Sequence, residues 1–177
     1  MAHKEQIDFC NSVKNKYPEL FNTCKVLDIG SLDINGNNRY LFINPYYTGI
    51  DIGEGNNVDI VCSGHLFKSK TKFDIIITTE CLEHDIHWKE TLLNAYNLLR
   101  KGGLLIMTCA APGREEHGTS ENHGFASPFT NDYYRNISEE DFKQVFELDK
   151  CFSEYELKEA HETMHDLYFY GIKDIKI

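Results

Sequence analysis

At 177 residues, with 41% hydrophobic and 26% charged side chains, the chain is long enough for one domain with a substantial core. A formal net charge of −10 works against a phosphate backbone, whose binding draws on Lys and Arg to release counterions, so nucleic acid is an unexpected partner. No run of 18 apolar residues is present to cross a membrane, and the first residues lack the apolar core of a signal peptide.

Phe9, Cys10, Val13 and Tyr17 recur at helical spacing and predict an amphipathic helix over 3–17, ended near Pro18. KVLDIG (25–30) is a short apolar run closed by a glycine, the first buried strand. A helical or looped stretch through Arg39 to Phe42 leads to YYTGID (46–51), a strand ending on Asp51, and VDIV (58–61) is expected as a third. FDIIITT (73–79) carries three consecutive isoleucines; such runs mark strands covered on both faces, as in parallel sheets between helices. Trp88, Leu92, Ala95 and Leu99 form one face of a helix, with Lys101-Gly102-Gly103 expected as its terminal cation and glycine cap. LLIMTCA (104–110) is the fifth strand. The alternation argues an α/β fold with a parallel sheet.

Residues 111–137 break this rhythm with Gly, Ser, Asn, Pro and His, and a loop this long inside a compact domain is usually a lid or a binding loop. A substrate lid is therefore expected at 112–137. Ser138-x-x-Asp141 reads as a capping box opening a helix through Val145 and Phe146. Two strands follow, near 152–160 and 166–175, joined by a short turn. With no repeat or linker, residues 1–177 are expected to form a single domain. The six cysteines include no CxxC pair and four sit in or beside apolar runs, which suits reduced thiols in a cytoplasmic protein.

In an open α/β sheet, ligands bind outside the carboxyl ends of the strands. The first strand leaves through Asp28, Ile29, Gly30 and Ser31, and Asp51 closes the second, 21 positions beyond Gly30. An acid at that distance is placed to accept hydrogen bonds from two ribose hydroxyls, and a glycine turn lets the backbone approach the ligand. The run from Gly30 is G-S-L-D-I-N-G, with Leu32 and Asp33 where a dinucleotide fingerprint needs glycines. Asp33 puts a negative charge where a pyrophosphate would sit. An acidic turn suits a ligand with a cationic end, which points to S-adenosylmethionine.

VLDIGSLDING, YTGIDIGEGNNVDIV, FDIIITTECLEHD and LLRKGGLLIMTCAAPG stand here in the order and spacing of the class I S-adenosylmethionine-dependent methyltransferases. The sequence resembles their small single-domain, type 11-like branch over residues 23–113, and DYYR (132–135) is similar to a further segment of that branch. Leu32 departs from the family's glycine. The resemblance implies a Rossmann-like, doubly wound seven-stranded sheet in the order 3-2-1-4-5-7-6, its last strand antiparallel. It also implies that Asp28, Gly30, Ser31 and Asp33 line the methionine end of the cofactor. Asp51 would hold the ribose, Ile52 pack on the adenine, and Ser63, Gly64 and His65 flank its edge. Thr79, Glu80 and Cys81 would close the pocket near the sulfonium.

Glu83 and His84 are candidates for a general base, though alignment alone drives many methyl transfers, and both equally suit a role capping the following helix. The lid offers His117, His123, Phe125, Phe129, Tyr133, Tyr134 and Arg135 to a small-molecule or sugar-like acceptor, with Arg135 suited to a carboxylate or phosphate. HETMH (161–165) matches the H-E-x-x-H zinc motif, but DLYFYGI follows at once, leaving no room for the helix that motif needs. It reads as the turn between the last two strands. The spacing of His117 and His123 with His84 or His87 fixes no metal site, so no metal is expected. The expected function is methyl transfer from S-adenosylmethionine, leaving S-adenosylhomocysteine. A cofactor-binding module without catalysis and a nicotinamide oxidoreductase are the alternatives.

Overall fold

The computed structural model describes residues 3–161 and 164–176. Helix α1 (Lys4–Lys16) is opened by the His3 side chain, which accepts from the Gln6 N–H, and it buries Gln6, Cys10 and Val13. Strands β1 (Lys25–Ile29), β2 (Tyr46–Asp51), β3 (Ile60–Val61) and β4 (Phe73–Thr79) follow. Helix α2 (Trp88–Leu98) leads into β5 (Leu99–Ala110). After a long loop come α3 (Glu139–Lys143), α4 (Leu148–Cys151), β6 (Phe152–Ala160) and β7 (Asp166–Lys173).

The seven strands form one sheet in the order β3-β2-β1-β4-β5-β7-β6, with β1 to β5 parallel and β7 antiparallel to both its neighbours. The triple isoleucine explains how the centre is held. Ile75 and Ile77 join Cys10, Val13 and Phe21 on the α1 side, whereas Ile76 joins Trp88, Leu92, Phe142 and Phe169 on the α2 and α3 side. Alternate side chains of one strand thus fill two separate cores, which a one-faced sheet has no use for. Among the described residues no helix is long and apolar enough to cross a membrane.

Several boundaries differ from the sequence reading, among them the helix opened at Ser138, which ends at Lys143 short of Val145 and Phe146, and the fifth strand, which begins at Leu99 rather than 104. The third strand is only Ile60–Val61, because Asp59 turns its carboxylate to accept the Gly49 N–H at 2.7 Å and to pair with Arg39 at 3.0 Å. Lys101-Gly102-Gly103 does not cap α2. Leu99 already donates its N–H to the Ala95 carbonyl and pairs with Phe73, and the next strand pair is Ile75 with Leu104. Residues 100–103 therefore bulge opposite Asp74 alone, pinned by an Arg100–Asp74 ion pair of 2.5 Å. The last strand stops at Lys173, short of the 175 expected. The capping box at Ser138 and Asp141 is present with both of its hydrogen bonds.

HETMH lies where β6 gives way to β7, with Ala160 paired to Asp166 across the hairpin. Glu162 and Thr163 are outside the described residues. The rings of His161 and His165 lie with centres 5.7 Å apart, and among the described residues no cluster of three metal-ligating groups includes either of them.

Candidate active site

A cleft of about 670 Å³ opens at the carboxyl ends of β1, β2 and β4. Its floor depends on one glycine. Gly30 sits at φ +78, and a Cβ there would stand 2.3 Å from the Cys81 Sγ, so the turn after β1 and the end of β4 meet at van der Waals limits. The N–H groups of Gly30 and Ser31 both donate to the Ile50 carbonyl, which locks this turn onto β2. Ser31 is buried and donates to the Asn57 carbonyl at 3.1 Å, while the Asn57 amide returns a bond to the Ser31 carbonyl. Leu32 lies against Gly55, close enough to meet any Cβ added there. The branched side chain is thus housed by a glycine on the facing loop.

Asp28, Asp51, Glu80 and Asp85 line the cleft, and no Lys or Arg is among its described lining residues. Asp28 is fully buried, accepts from the Tyr47 hydroxyl and, at 3.3 Å, from the Asn38 amide. Asn38 also donates to Thr79 at 3.0 Å and so ties β1 to β4. Burial raises the Asp28 carboxyl to about 6, against the bonds from Tyr47 and Asn38 and the charge of Arg39, with nearby Asp51 adding repulsion. Asp51 accepts the N–H of Leu32 at 3.1 Å and of Gly53 at 3.0 Å; burial raises its carboxyl while these bonds oppose the rise. Glu80 adopts a left-handed backbone at φ +51, a strained state for a residue with a Cβ. It accepts from Thr108 at 2.8 Å and faces His3 at 3.5 Å. Burial acts to raise the Glu80 carboxyl, but the His3 bond prevails and holds it low, at about 2.

The Asp28 shift gives a pH prediction. A cationic cofactor end favours the ionised carboxylate, so binding must expel the proton that Asp28 takes up as pH falls through about 6. Cofactor affinity measured by calorimetry should fall below that pH by up to roughly tenfold per unit, the limit for one proton. The free protein shifts the other way. A raised carboxyl stabilises the fold most below its unfolded value and loses that contribution as pH rises through about 6. A flat affinity between pH 7 and 5, or the same slope in Asp28→Asn, excludes Asp28 as the titrating group.

Other residues singled out by sequence are spread more widely. Ile52, Ser63, Gly64, Thr79 and Cys81 line the cleft with Gly30 and Ser31. Asp33 is not among the lining residues; its carboxylate turns back to accept from the Gly36 N–H at 2.8 Å and the Asn37 amide at 2.7 Å. His65 is not among the lining residues; its ring instead packs tilted against His87, ring centres 4.0 Å apart. His84 reaches the cleft wall, whereas Glu83 is entirely buried behind it. Neither caps α2, whose N-cap is His87 with no side-chain cap bond; Asp85 steadies that end by accepting the His87 N–H at 2.8 Å and the Thr91 hydroxyl at 2.5 Å. His117 and Tyr134 pack against the His84 ring, centres 5.1 and 5.5 Å away, and His123 is exposed. Tyr133 is half-buried outside the cleft lining, and Arg135 pairs with Asp141 at 2.7 Å over the Trp88 ring.

The part of the long loop that does line the cleft is 126–131. Phe129 lies over Gly53, where any Cβ would collide with its ring. Phe129 was singled out by sequence, whereas Asn38, the N-terminal Gln6 and Ile7, and the rest of this hexapeptide were not. The asparagine-rich run 35–38 was the one available signal for Asn38.

A sequence-family model described as "Methyltransferase domain" matches residues 3–149. No curated protein matches the sequence significantly. Among solved structures, 1,6-didemethyltoxoflavin-N1-methyltransferase of Burkholderia thailandensis, with 1,6-didemethyltoxoflavin and S-adenosylhomocysteine bound, is similar at 16% identity. That match covers 96% of this chain and 78% of the other, with a TM-score of 0.64. The N-methyltransferase NodS of Bradyrhizobium japonicum is similar at 15% identity over 94% and 97% of the two chains, TM-score 0.57. A phosphoethanolamine N-methyltransferase of Haemonchus contortus, in complex with phosphomonomethylethanolamine and S-adenosylhomocysteine, is similar at 14% identity. There the match covers 96% of this chain and 52% of the other, with a TM-score of 0.65.

Proposed function

The chain belongs to the class I S-adenosylmethionine-dependent methyltransferases, and from that premise we propose that its acceptor is a small, uncharged or cationic molecule, sugar-like compounds included. The observation that carries this reading is the cleft itself: four carboxylates and no Lys or Arg among its described lining residues. Such a lining favours the sulfonium and ammonium of the cofactor. It disfavours a phosphate or carboxylate on the acceptor, and equally the pyrophosphate of a nicotinamide dinucleotide. The volume, about 670 Å³, is in the range of small-molecule sites. Two structural relatives hold a small molecule beside S-adenosylhomocysteine, 1,6-didemethyltoxoflavin in one and phosphomonomethylethanolamine in the other, which supports the same scale.

The cofactor would lie with its amino-acid end toward Asp28, Gly30 and Ser31 and its ribose on Asp51. Bound there, S-adenosylmethionine would supply an electrophilic methyl group, which an acceptor lone pair would take in exchange for the carbon–sulfur bond, yielding S-adenosylhomocysteine, with any acceptor proton passing to solvent. Alignment of the three atoms supplies most of what this displacement needs. A labelled methyl donor incubated with fractionated metabolite pools tests the reading. Label should pass to a neutral or amine-bearing compound, whereas transfer only to anionic acceptors, or to none, overturns it.

Within this reading, residues 112–137 form a lid, and its working face is 126–131 rather than the aromatic and basic residues beyond. His123, Phe129, Asn131 and Asp132 all hold positive φ angles between 51 and 72, unusual for side chains with a Cβ. Strained backbone over a cleft suits a segment with two arrangements. Limited proteolysis should cut within 112–137 in the free protein and slow several-fold with S-adenosylhomocysteine. Cleavage that ignores the ligand would remove the lid from the account.

A further inference from the structure

Behind the cleft wall, Glu83, His84 and His117 each present one ligating atom within 4.8 Å of the other two. All three side chains are buried, at 0%, 7% and 8% exposure. Both Glu83 carboxylate oxygens, the His84 Nδ1 and the His117 Nε2 are buried without a hydrogen-bond partner among the described residues. Three unsatisfied buried polar groups converging on one point is a costly arrangement for a packed protein, because each has given up its hydration without a bond in return. We propose that these three residues form a binding site for a divalent first-row transition ion, with Zn²⁺ the best match to two imidazoles and one carboxylate.

The surroundings are those of a ligand set. The His117 Nδ1 lies 3.1 Å from the Glu115 carbonyl, so it carries the proton and leaves the Nε2 lone pair facing Glu83 and His84. The His84 ring lies edge-on to His117, centres 5.1 Å apart, with its Nδ1 left over. Holding one imidazole nitrogen on a backbone oxygen fixes tautomer and ring orientation, as the outer shell of metal sites does. Gly118 permits the approach, since a Cβ there would stand 2.7 Å from the His84 Cε1. Ligands about 2.1 Å from one tetrahedral ion lie roughly 3.4 Å apart, so modest side-chain rotation closes the set. Two ligands come from the end of β4 and the third from the loop after β5. An ion would therefore clamp the root of that loop to the sheet beside the cleft, leaving a coordination position open.

This proposal departs from the sequence expectation of no metal, because chain spacing does not show that His117 folds back onto Glu83 and His84. It stands independently of the acceptor's identity. Untagged protein, stripped with chelator, should bind Co²⁺ at one equivalent with the intense visible absorption of a tetrahedral site, displaced by Zn²⁺. His117→Ala and Glu83→Gln should each lower that affinity by more than the roughly 10- to 100-fold that loss of an outer-shell partner costs. His161→Ala, on the exposed hairpin, should leave it unchanged. Folding of each variant is checked by near-ultraviolet dichroism, and His117→Ala, at a loop position, serves where Glu83→Gln is unstable. Equal binding by wild type and His117→Ala, binding lost with His161→Ala, or no saturable binding overturns the site.

Discussion

Asp51→Ala is expected to weaken both S-adenosylmethionine and S-adenosylhomocysteine by about 1.5–3 kcal/mol, roughly 10- to 150-fold. The carboxylate already holds the Leu32 and Gly53 N–H groups, so it is oriented before any ligand arrives. Its remaining lone pairs face the cleft, where ribose hydroxyls would donate to a charged acceptor. The substitution removes those bonds and also unfastens the turn after β1. Asp51→Asn separates the two effects, because an amide oxygen still accepts from one backbone N–H but carries no charge. Both variants should lose affinity, the alanine form more. Calorimetric affinities within twofold of wild type for both would remove Asp51 from the cofactor site.

Gly30→Ala should be the more damaging to the fold. A left-handed backbone costs an alanine about 1–2 kcal/mol, and forcing a methyl group into filled space typically adds 1–3 kcal/mol. Here that space is taken by Cys81, 2.3 Å from the new Cβ. Relief requires β4's end to move away from the turn, which widens the cleft where the cofactor's sulfonium would lie. Thermal unfolding should drop by about 2–4 °C for each kcal/mol, and cofactor binding should be lost within the measurable range. Adding Cys81→Gly removes the collision but not the backbone strain, so the double variant should recover part of the stability. A Gly30→Ala protein as stable as wild type would show that the turn is slack.

The sheet was legible in the sequence because its strands are unusual. A run such as FDIIITT fits only a strand covered on both faces, and the strand ends at Asp28, Asp51 and Thr79 then define one edge. The details that escaped depend on tertiary contact. Asn38 bridges Asp28 and Thr79 across two strands, a role with no local signature. The bulge at 100–103 follows from pairing Leu99 with Phe73, which overrides the helix-stopping pattern of Lys-Gly-Gly. In the loop, 126–131 lies over the cleft while Tyr134 and His117 pack edge-on to each other and against His84, contacts with no local signature. Composition marked the loop as functional without telling which of its faces meets the ligand.

The account turns on a cleft built for a cationic adenosyl cofactor, and one titration tests that most directly. In calorimetry on the purified protein at neutral pH, S-adenosylmethionine and S-adenosylhomocysteine should each bind at one equivalent, while nicotinamide dinucleotides give no heat of binding. Failure of both adenosyl ligands at millimolar concentration, or nicotinamide binding in their place, would contradict it.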